Sequence, residues 1–363
     1  MIPTQRRRCA EYLTWIEDNV GERPARAGSA KTQSCLITES SNSSSLTILV
    51  CLQAVQVLTE DDVRNRLPPA HVIAAIEAAF RHRYHSTVVP IRSQMNLATG
   101  VFLVMPCYDR TGPALGMKLV MVENQPETPE SRVQATYILL NPRTGRPVLT
   151  VPANHLTDLR TAATSAVATK ALACEDARVL GVFGTGRQAR AHIQVFRSIR
   201  RFEQVLVCGR EPAAGRDFAQ RMSSEIKLPV EPSDARTCAA ESDVICACTT
   251  SQTPLFDGRI LRAGTHLNLV GAFQPHAREV DSETVRRSRV FVETCEGVLA
   301  EAGDLLIPIQ DGSIQRDHIV GDLHELVSGK KQGRIDKNVI TIFKSVGYAL
   351  EDLATAELLQ LTA

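Results

Sequence analysis

Residues 179–192 read VLGVFGTGRQARAH, and no other stretch constrains the fold as much. Val179, Leu180, Val182 and Phe183 form the short apolar run of a buried parallel strand, whereas from Arg187 onward Ala189, Ile193 and Phe196 recur at helical spacing. A strand therefore turns into a helix at Gly184-Thr185-Gly186. Without a Cβ, Gly184 permits the tight turn and Gly186 admits a pyrophosphate to the backbone, while the small Ala189 lets the helix pack on the strand. The phosphates would sit on the helix N-terminus. A simple tight turn is the competing explanation of one GxGxxA. Here the motif follows a strand, opens a helix and precedes a second strand, Gln204 to Cys208. The expectation is a dinucleotide site built by Gly184, Thr185, Gly186, Arg187, Gln188 and Ala189.

The ribose is read at the end of that second strand, where the sequence is VLVCGREPAAGRDFA. A carboxylate there would hydrogen-bond the ribose 2′-hydroxyl and repel a 2′-phosphate; Arg210, after Gly209, does the reverse. NADP(H) is expected over NAD(H). The alternative is that Arg210 is a solvated charge and Glu211 takes the ribose.

At 363 residues and 44% hydrophobic composition, the chain suits two globular domains with sizeable cores. A net charge of +1 offers no global field for nucleic acid. The ten cysteines contain no CxxC pair and suit small core hydrophobes in a reducing compartment, so neither a disulfide framework nor a metal site is expected, and the protein reads as cytoplasmic. Residues 1–56 read as an extension. MIPTQRRRC is basic, but Glu11, Glu17, Asp18 and Glu22 follow it, which disfavours a transit peptide, and no secretory apolar stretch comes next. Residues 23–45 resemble a flexible linker. The apolar LTILVCL, 46–52, is too short to span a bilayer and is assigned a first-strand role, so no membrane partner is expected.

From VLTEDDV the organisation sharpens. Thr59 before Glu60, Asp61 and Asp62 signals a helix start, and AHVIAAIEAAFRHRYH after Pro68-Pro69 is a second helix. Strand-like VVPIRSQMNL, GVFLVMPCY, ALGMKLVMV, ATYILLN and PVLTV follow, so residues 57–150 read as helices plus a sheet with hairpins. An Ala-rich helix, LTDLRTAATSAVATKALA, leads into strands at VLGVF, QVLVC, DVICACT and THLNLVG, alternating with helices as a doubly wound fold requires. The tail, TIFKSVGYALEDLATAELLQLTA, reads as one long amphipathic helix. The fold class is α/β: a Rossmann-type doubly wound domain over 173–317, and an α+β substrate and dimerisation domain from 57–172 with 318–363.

Seven motifs occur in order: VPIR (89–92), LGMKLV (115–120), LTDLRTAATSAVAT (156–169), GTGRQA (184–189), VGAFQPHAREVD (270–281), EAGDL (301–305) and FKSVGYALEDLATA (343–356). Together they resemble the ornithine cyclodeaminase/μ-crystallin family, from about Val57 to the end. The resemblance implies a homodimer, a nicotinamide dinucleotide, and a small α-amino or α-imino acid as substrate; some members instead bind ligands such as thyroid hormone. It aligns Arg92, Lys118 and Arg160 with the positions that hold the substrate carboxylate. Guanidinium forks bind a carboxylate bidentately, and lysine adds a point charge. Lys118, in an apolar strand, could also pass a proton, because burial depresses a lysine pKa. Each cation singly also reads as a structural ion pair. By the same resemblance Arg160, Thr161, Thr249, Val270, Lys344 and Ser345 lie near the cofactor; a solvated charge remains the competing reading of Lys344.

Two departures alter the expected chemistry. Where the cyclodeaminases carry a carboxylate after the VG-type strand end, this chain has Phe273, and a second acidic position is Leu103. Their loss disfavours ornithine, whose terminal ammonium needs a partner when desolvated. The competing reading is that both residues pack in a closed core. His276 could substitute as an acid, although loop histidines are commonly exposed. The leading expectation is NADPH-dependent reduction of a C=N carbon beside a carboxylate, giving a cyclic or N-substituted amino acid. A redox-neutral cyclodeaminase with bound NAD+ and a non-catalytic binder of an aromatic carboxylate are the alternatives.

Overall fold

The computed structural model describes residues 55–112, 114–125 and 132–361. The linker and the apolar run at 46–52 lie outside the described residues.

Strand β1 (Gln56–Val57) is followed by helices α1 (Glu60–Arg66) and α2 (Pro69–His82). Thr59 caps α1 in a reciprocal capping box with Asp62, so the acidic cluster after Thr59 starts the helix as expected. Next come β2 (Thr87–Val88), β3 (Ser93–Leu97), β4 (Gly100–Asp109), β5 (Ala114–Glu123), β6 (Val133–Leu140) and β7 (Pro147–Pro152). They form a seven-stranded sheet in the order β1-β7-β6-β5-β4-β2, with β3 also on β4. All its pairings are antiparallel except β1 with β7. Period-two alternation turns Leu103, Met105 and Cys107 of β4 into the core and leaves Phe102, Val104 and Pro106 on the other face. VVPIRSQMNL splits into β2 and β3 because Pro90 supplies no ladder donor, which leaves Arg92 in the connecting loop.

Helix α3 (Asn154–Leu172) joins the two halves. The second sheet consists of β8 (Val179–Phe183), β9 (Gln204–Cys208), β10 (Val230–Pro232), β11 (Val244–Ala247), β12 (His266–Leu269), β13 (Ser288–Val292), β14 (Ile319–Asp322) and β15 (Ile340–Lys344). It is parallel throughout, in the order β10-β9-β8-β11-β12-β15-β13-β14. Helices α4 (Arg187–Phe196) and α5 (Pro212–Ile226) follow β8 and β9, α6 (Ala235–Glu241) precedes β11, and α7 (Ser282–Arg286) precedes β13. The chain then runs through α8 (Cys295–Glu301), α9 (Gly303–Gln310), α10 (Leu323–Val327) and, after β15, α11 (Ala349–Leu361).

The chain after 317 is divided differently from the expectation. Strands β14 and β15 are laddered into the second sheet, while α11 returns to pack with α2 and α3 on the first sheet and α10 also touches α2 and α3. The tail is correspondingly a strand, a turn and a helix rather than one long helix. ITIFK, buried at every residue, lies between β12 and β13, and Gly347 at φ 94° breaks the chain before α11. An apolar run of five cannot be assigned to strand or helix by periodicity alone, which is why strand and helix merged into one pattern.

Candidate functional site

Strand order reverses between β8 and β11, and ligands of open parallel sheets bind in the crevice outside the strand ends at such a point. Gly184, directly after β8, has φ 112°, and a Cβ there would lie 2.5 Å from the Cys248 carbonyl oxygen. Gly186 is the N-cap of α4, without a side-chain cap, and a Cβ there would meet nothing within 4 Å. A helix N-terminus bare of side chains and open to approach is a cradle for a phosphate. Ala189 is fully buried, as the contact of α4 with the sheet requires. Gly209 packs on Gly215 of α5, where a Cβ would meet the Gly215 nitrogen at 3.0 Å. The residues present fit a dinucleotide. Thr185 flanks Gly209, while Arg210 and Glu211 are both exposed.

Arg187 and Gln188 turn toward α3. The Arg187 Nε donates to Asp158 Oδ2 at 2.8 Å and Gln188 Nε2 donates to Asp158 Oδ1 at 3.2 Å. The α4 end of the glycine loop is thereby tied to the helix that joins the halves. One turn further along α3, the Thr161 hydroxyl donates back to the Thr157 carbonyl at 2.7 Å.

Across the crevice, the buried Glu279 staples two loops. Its Oε1 accepts from the Thr249 backbone N–H at 2.7 Å and the Thr249 hydroxyl at 2.8 Å, and its Oε2 from Gly271 N–H at 2.7 Å. Burial and neighbouring Asp304 push this carboxyl up to about 7, against the pull of Lys344 and the Thr249 donors. Val270 follows β12 and donates its N–H to the Ala247 carbonyl. Lys344 is fully buried, 2.9 Å from Asp304 and donating to the Ala272 carbonyl at 2.6 Å, so the solvated-charge alternative is overturned. Ser345 donates its N–H to the Leu269 carbonyl at 3.2 Å.

The three expected substrate cations lie along one path leading inward from a cleft lined by Tyr84, Arg92, Met105, Glu301, Val346 and Tyr348. At the cleft, Arg92 pairs with Glu301, donates to the Val346 carbonyl at 3.2 Å, and lies over the Phe273 ring at 5.4 Å. Behind it, the Arg160 guanidinium abuts Gly347, where a Cβ would lie 3.2 Å from both terminal nitrogens. Arg160 meets Glu351 Oε2 at 2.6 Å and Asp352 Oδ1 at 3.0 Å, and Lys118 donates to the same Asp352 oxygen at 2.8 Å. Thus each cation has a carboxylate partner within the chain.

Burial, then the nearby Arg160 charge, lowers the Lys118 pKa to about 8, with Asp352 opposing them. Burial also works against the Arg160 charge, but Asp352 and Glu351 more than restore it. Glu351 is driven well above the usual carboxyl range by burial and by the neighbouring Glu293 carboxylate. Glu293 in turn accepts from the Val346 and Gly347 N–H groups at 3.3 and 2.8 Å, fixing the turn against which Arg160 rests.

Leu103 is buried on the core face of β4, which bears out the packing reading there; Phe273 is 37% exposed against Arg92 and does not pack in a closed core. His276 is exposed. Sequence reasoning missed the carboxylates: Glu279, Glu293, Glu301, Glu351 and Asp352. The one available signal was the Glu-Asp pair in the otherwise apolar ALEDLATAELL, since adjacent acids in such a helix need buried cations.

A parallel sheet with a glycine turn at its switch point, beside a second, largely antiparallel sheet, defines an α/β protein with a Rossmann-like sheet. The sequence profile of the Ornithine cyclodeaminase/mu-crystallin family matches residues 53–361, and the chain belongs to that family. It is 32% identical over 310 residues to a Delta(1)-pyrroline-2-carboxylate reductase of Bacillus cereus, covering 84% of this chain and 95% of that one. It is 34% identical over 273 residues to the mouse ketimine reductase mu-crystallin, covering 75% and 82%. The structure of the Thermococcus litoralis Delta(1)-pyrroline-2-carboxylate reductase, in complex with NADH and L-proline, matches with a TM-score of 0.81 at 36% identity, over 85% of this chain and 97% of that one.

Proposed function

We propose that this protein is a nicotinamide-dinucleotide-dependent reductase of a C=N bond beside a carboxylate, with a cyclic ketimine carboxylate as its substrate class. The observation that carries this reading is the run of cations leading inward from a cleft lined by both halves: Arg92 on Val346, Arg160 on Gly347, and Lys118 joined to Arg160 through Asp352. A reductase of this kind among its relatives is solved with NADH and L-proline, the product class expected here.

The dinucleotide supplies a hydride. The residues of the chain hold the substrate carboxylate so that the neighbouring carbon faces that hydride, and such positioning lowers a barrier by several kcal/mol. The reduction consumes one proton at nitrogen. Lys118, with its pKa lowered to about 8, is suited to hold and pass that proton near neutral pH. Leu103 and Phe273 supply no carboxylate at the positions where the cyclodeaminases use one, which favours an uncharged substrate side chain over ornithine.

Arg210, exposed after β9, favours NADP(H) over NAD(H). The protein is a homodimer in this reading, because the outward face of the first sheet is apolar: Met95 is 60% exposed, and Phe102, Val104, Met117, Leu119 and Met121 are only half-buried. A cytoplasmic location is favoured by the seven free cysteines among the described residues. No helix among those residues is long and apolar enough to cross a membrane.

The test follows NADPH absorbance with cyclic ketimine carboxylates and, separately, with α-keto acids plus amines, NADH being run in parallel. Turnover of the ketimines is expected. Tight NADPH and aromatic carboxylate binding with no turnover on any substrate would overturn the reading in favour of a binding protein. Ammonia release from a diamino acid without net cofactor oxidation would point to a lyase.

A further inference from the structure

Arg92 is the most accessible of the three cations, and its surroundings are unusual. It sits in the loop between β2 and β3, with no regular backbone to aim it. Its guanidinium is nevertheless engaged on three sides. Nε donates to Glu301 Oε1 at 2.9 Å and Nη2 to Glu301 Oε2, a side-on bidentate pair. Nη1 donates to the Val346 carbonyl at 3.2 Å, and the Phe273 ring covers one face. The pair is largely shielded, with 12% of the Arg92 side chain and 20% of the Glu301 side chain exposed.

Donor counting shows what remains. A guanidinium has five N–H groups, and these contacts spend three of them. One N–H on each terminal nitrogen is left. Two such groups are what a ligand carboxylate needs for its two oxygens. All the groups that hold Arg92 come from outside its own domain's sheet: Glu301 ends α8 after β13, Phe273 follows β12, and Val346 follows β15.

We infer that Glu301 is a positioning residue for substrate, which fixes Arg92 from the Rossmann side of the cleft so that its two unspent N–H groups are presented to the ligand carboxylate. This rests on the reading of Arg92 as a carboxylate-binding residue. It also assigns a purpose to the first residue of EAGDL. A long side chain on an irregular loop loses rotamer freedom when it grips a ligand, and the Glu301 pairing meets that cost before the ligand arrives. The same pairing makes carboxylate binding depend on the relative placement of the two domains.

The experiment compares wild type, E301Q, R92K and the double variant, all loaded with NADPH. Each is assayed for KM and kcat on a cyclic ketimine carboxylate and titrated calorimetrically with pyrrole-2-carboxylate, a planar carboxylate that needs no turnover to report. E301Q is expected to raise KM and the Kd for pyrrole-2-carboxylate about tenfold, with kcat within about twofold of wild type and NADPH affinity unchanged. In the R92K background, where the side-on fork is absent, the same substitution is expected to add less than about twofold. A lower KM in E301Q would mean that Glu301 competes with the ligand for the fork, and would overturn the inference. So would an equal effect of E301Q in both backgrounds, which marks a purely structural ion pair. If R92K leaves carboxylate affinity at the wild-type value, the reading of Arg92 itself fails; if R92K weakens it while E301Q is silent, only the positioning role fails.

Discussion

Asp352 joins Lys118 to Arg160: one carboxylate oxygen lies 2.8 Å from the lysine Nζ and 3.0 Å from the arginine Nε, in an interior where all three side chains are buried. Removing one member of a buried ionic group strands its partners without solvent. D352N is therefore expected to destabilise the fold by about 3–5 kcal/mol. Urea denaturation measures it, and a loss under about 1 kcal/mol would mean that Glu351 alone satisfies both cations.

The burial of Lys118 beside the Arg160 charge sets a pH dependence. Lys118 titrates near 8 in the folded chain rather than at its usual 10.5, so its charge is lost as pH rises through about 8. Substrate KM should climb above that pH, and K118R, whose charge persists, should lack this limb. The linkage has a definite sign. Between about 8 and 10.5 the unfolded chain binds more protons than the folded one, so this group makes stability rise with pH across that window. Denaturation midpoints of wild type and K118R measured at intervals through this range report the difference.

Gly184 and Gly186 predict opposite phenotypes two residues apart. G184A forces a Cβ onto the Cys248 carbonyl at φ 112° and is expected to cost about 1–3 kcal/mol of stability. G186A meets open space, so the fold should tolerate it, while its methyl group obstructs the phosphates and weakens dinucleotide binding about tenfold or more. Thermal unfolding and fluorescence titration separate the two. Equal dinucleotide affinity in G186A and wild type would place the phosphates elsewhere.

Arg210 is the test of coenzyme choice. A charge-assisted hydrogen bond contributes about 1.5–3 kcal/mol, so R210A should weaken NADPH about 10- to 100-fold and leave NADH nearly unchanged. Titration of both coenzymes against both proteins decides it. An NADH preference already present in wild type would instead assign the ribose to Glu211.

The apolar outer face of the first sheet predicts the assembly. L119D places a charge at the centre of that face and should convert a dimer to a monomer in sedimentation velocity. Wild type sedimenting as a monomer would sink the assignment.

Much of the molecule was legible in the residues themselves. The strand, turn and helix at 179–192 required a Rossmann crossover because glycine conformation and hydrophobic period are local properties, and the structure forms them as β8, Gly184–Gly186 and α4. The alternation of β4 and the capping of α1 were local in the same sense. Tertiary structure alone decided that ITIFK is a strand between β12 and β13, because its ladder partners lie far away in sequence. It alone decided the partners of the cations as well. Arg92 meets Glu301 across 209 positions, Lys118 meets Asp352 across 234, and Arg160 meets Glu351 across 191. A charge pattern shows which residues need a partner when buried, but only the packing of distant elements, under the cost of leaving any charge unpaired, selects which partner each receives.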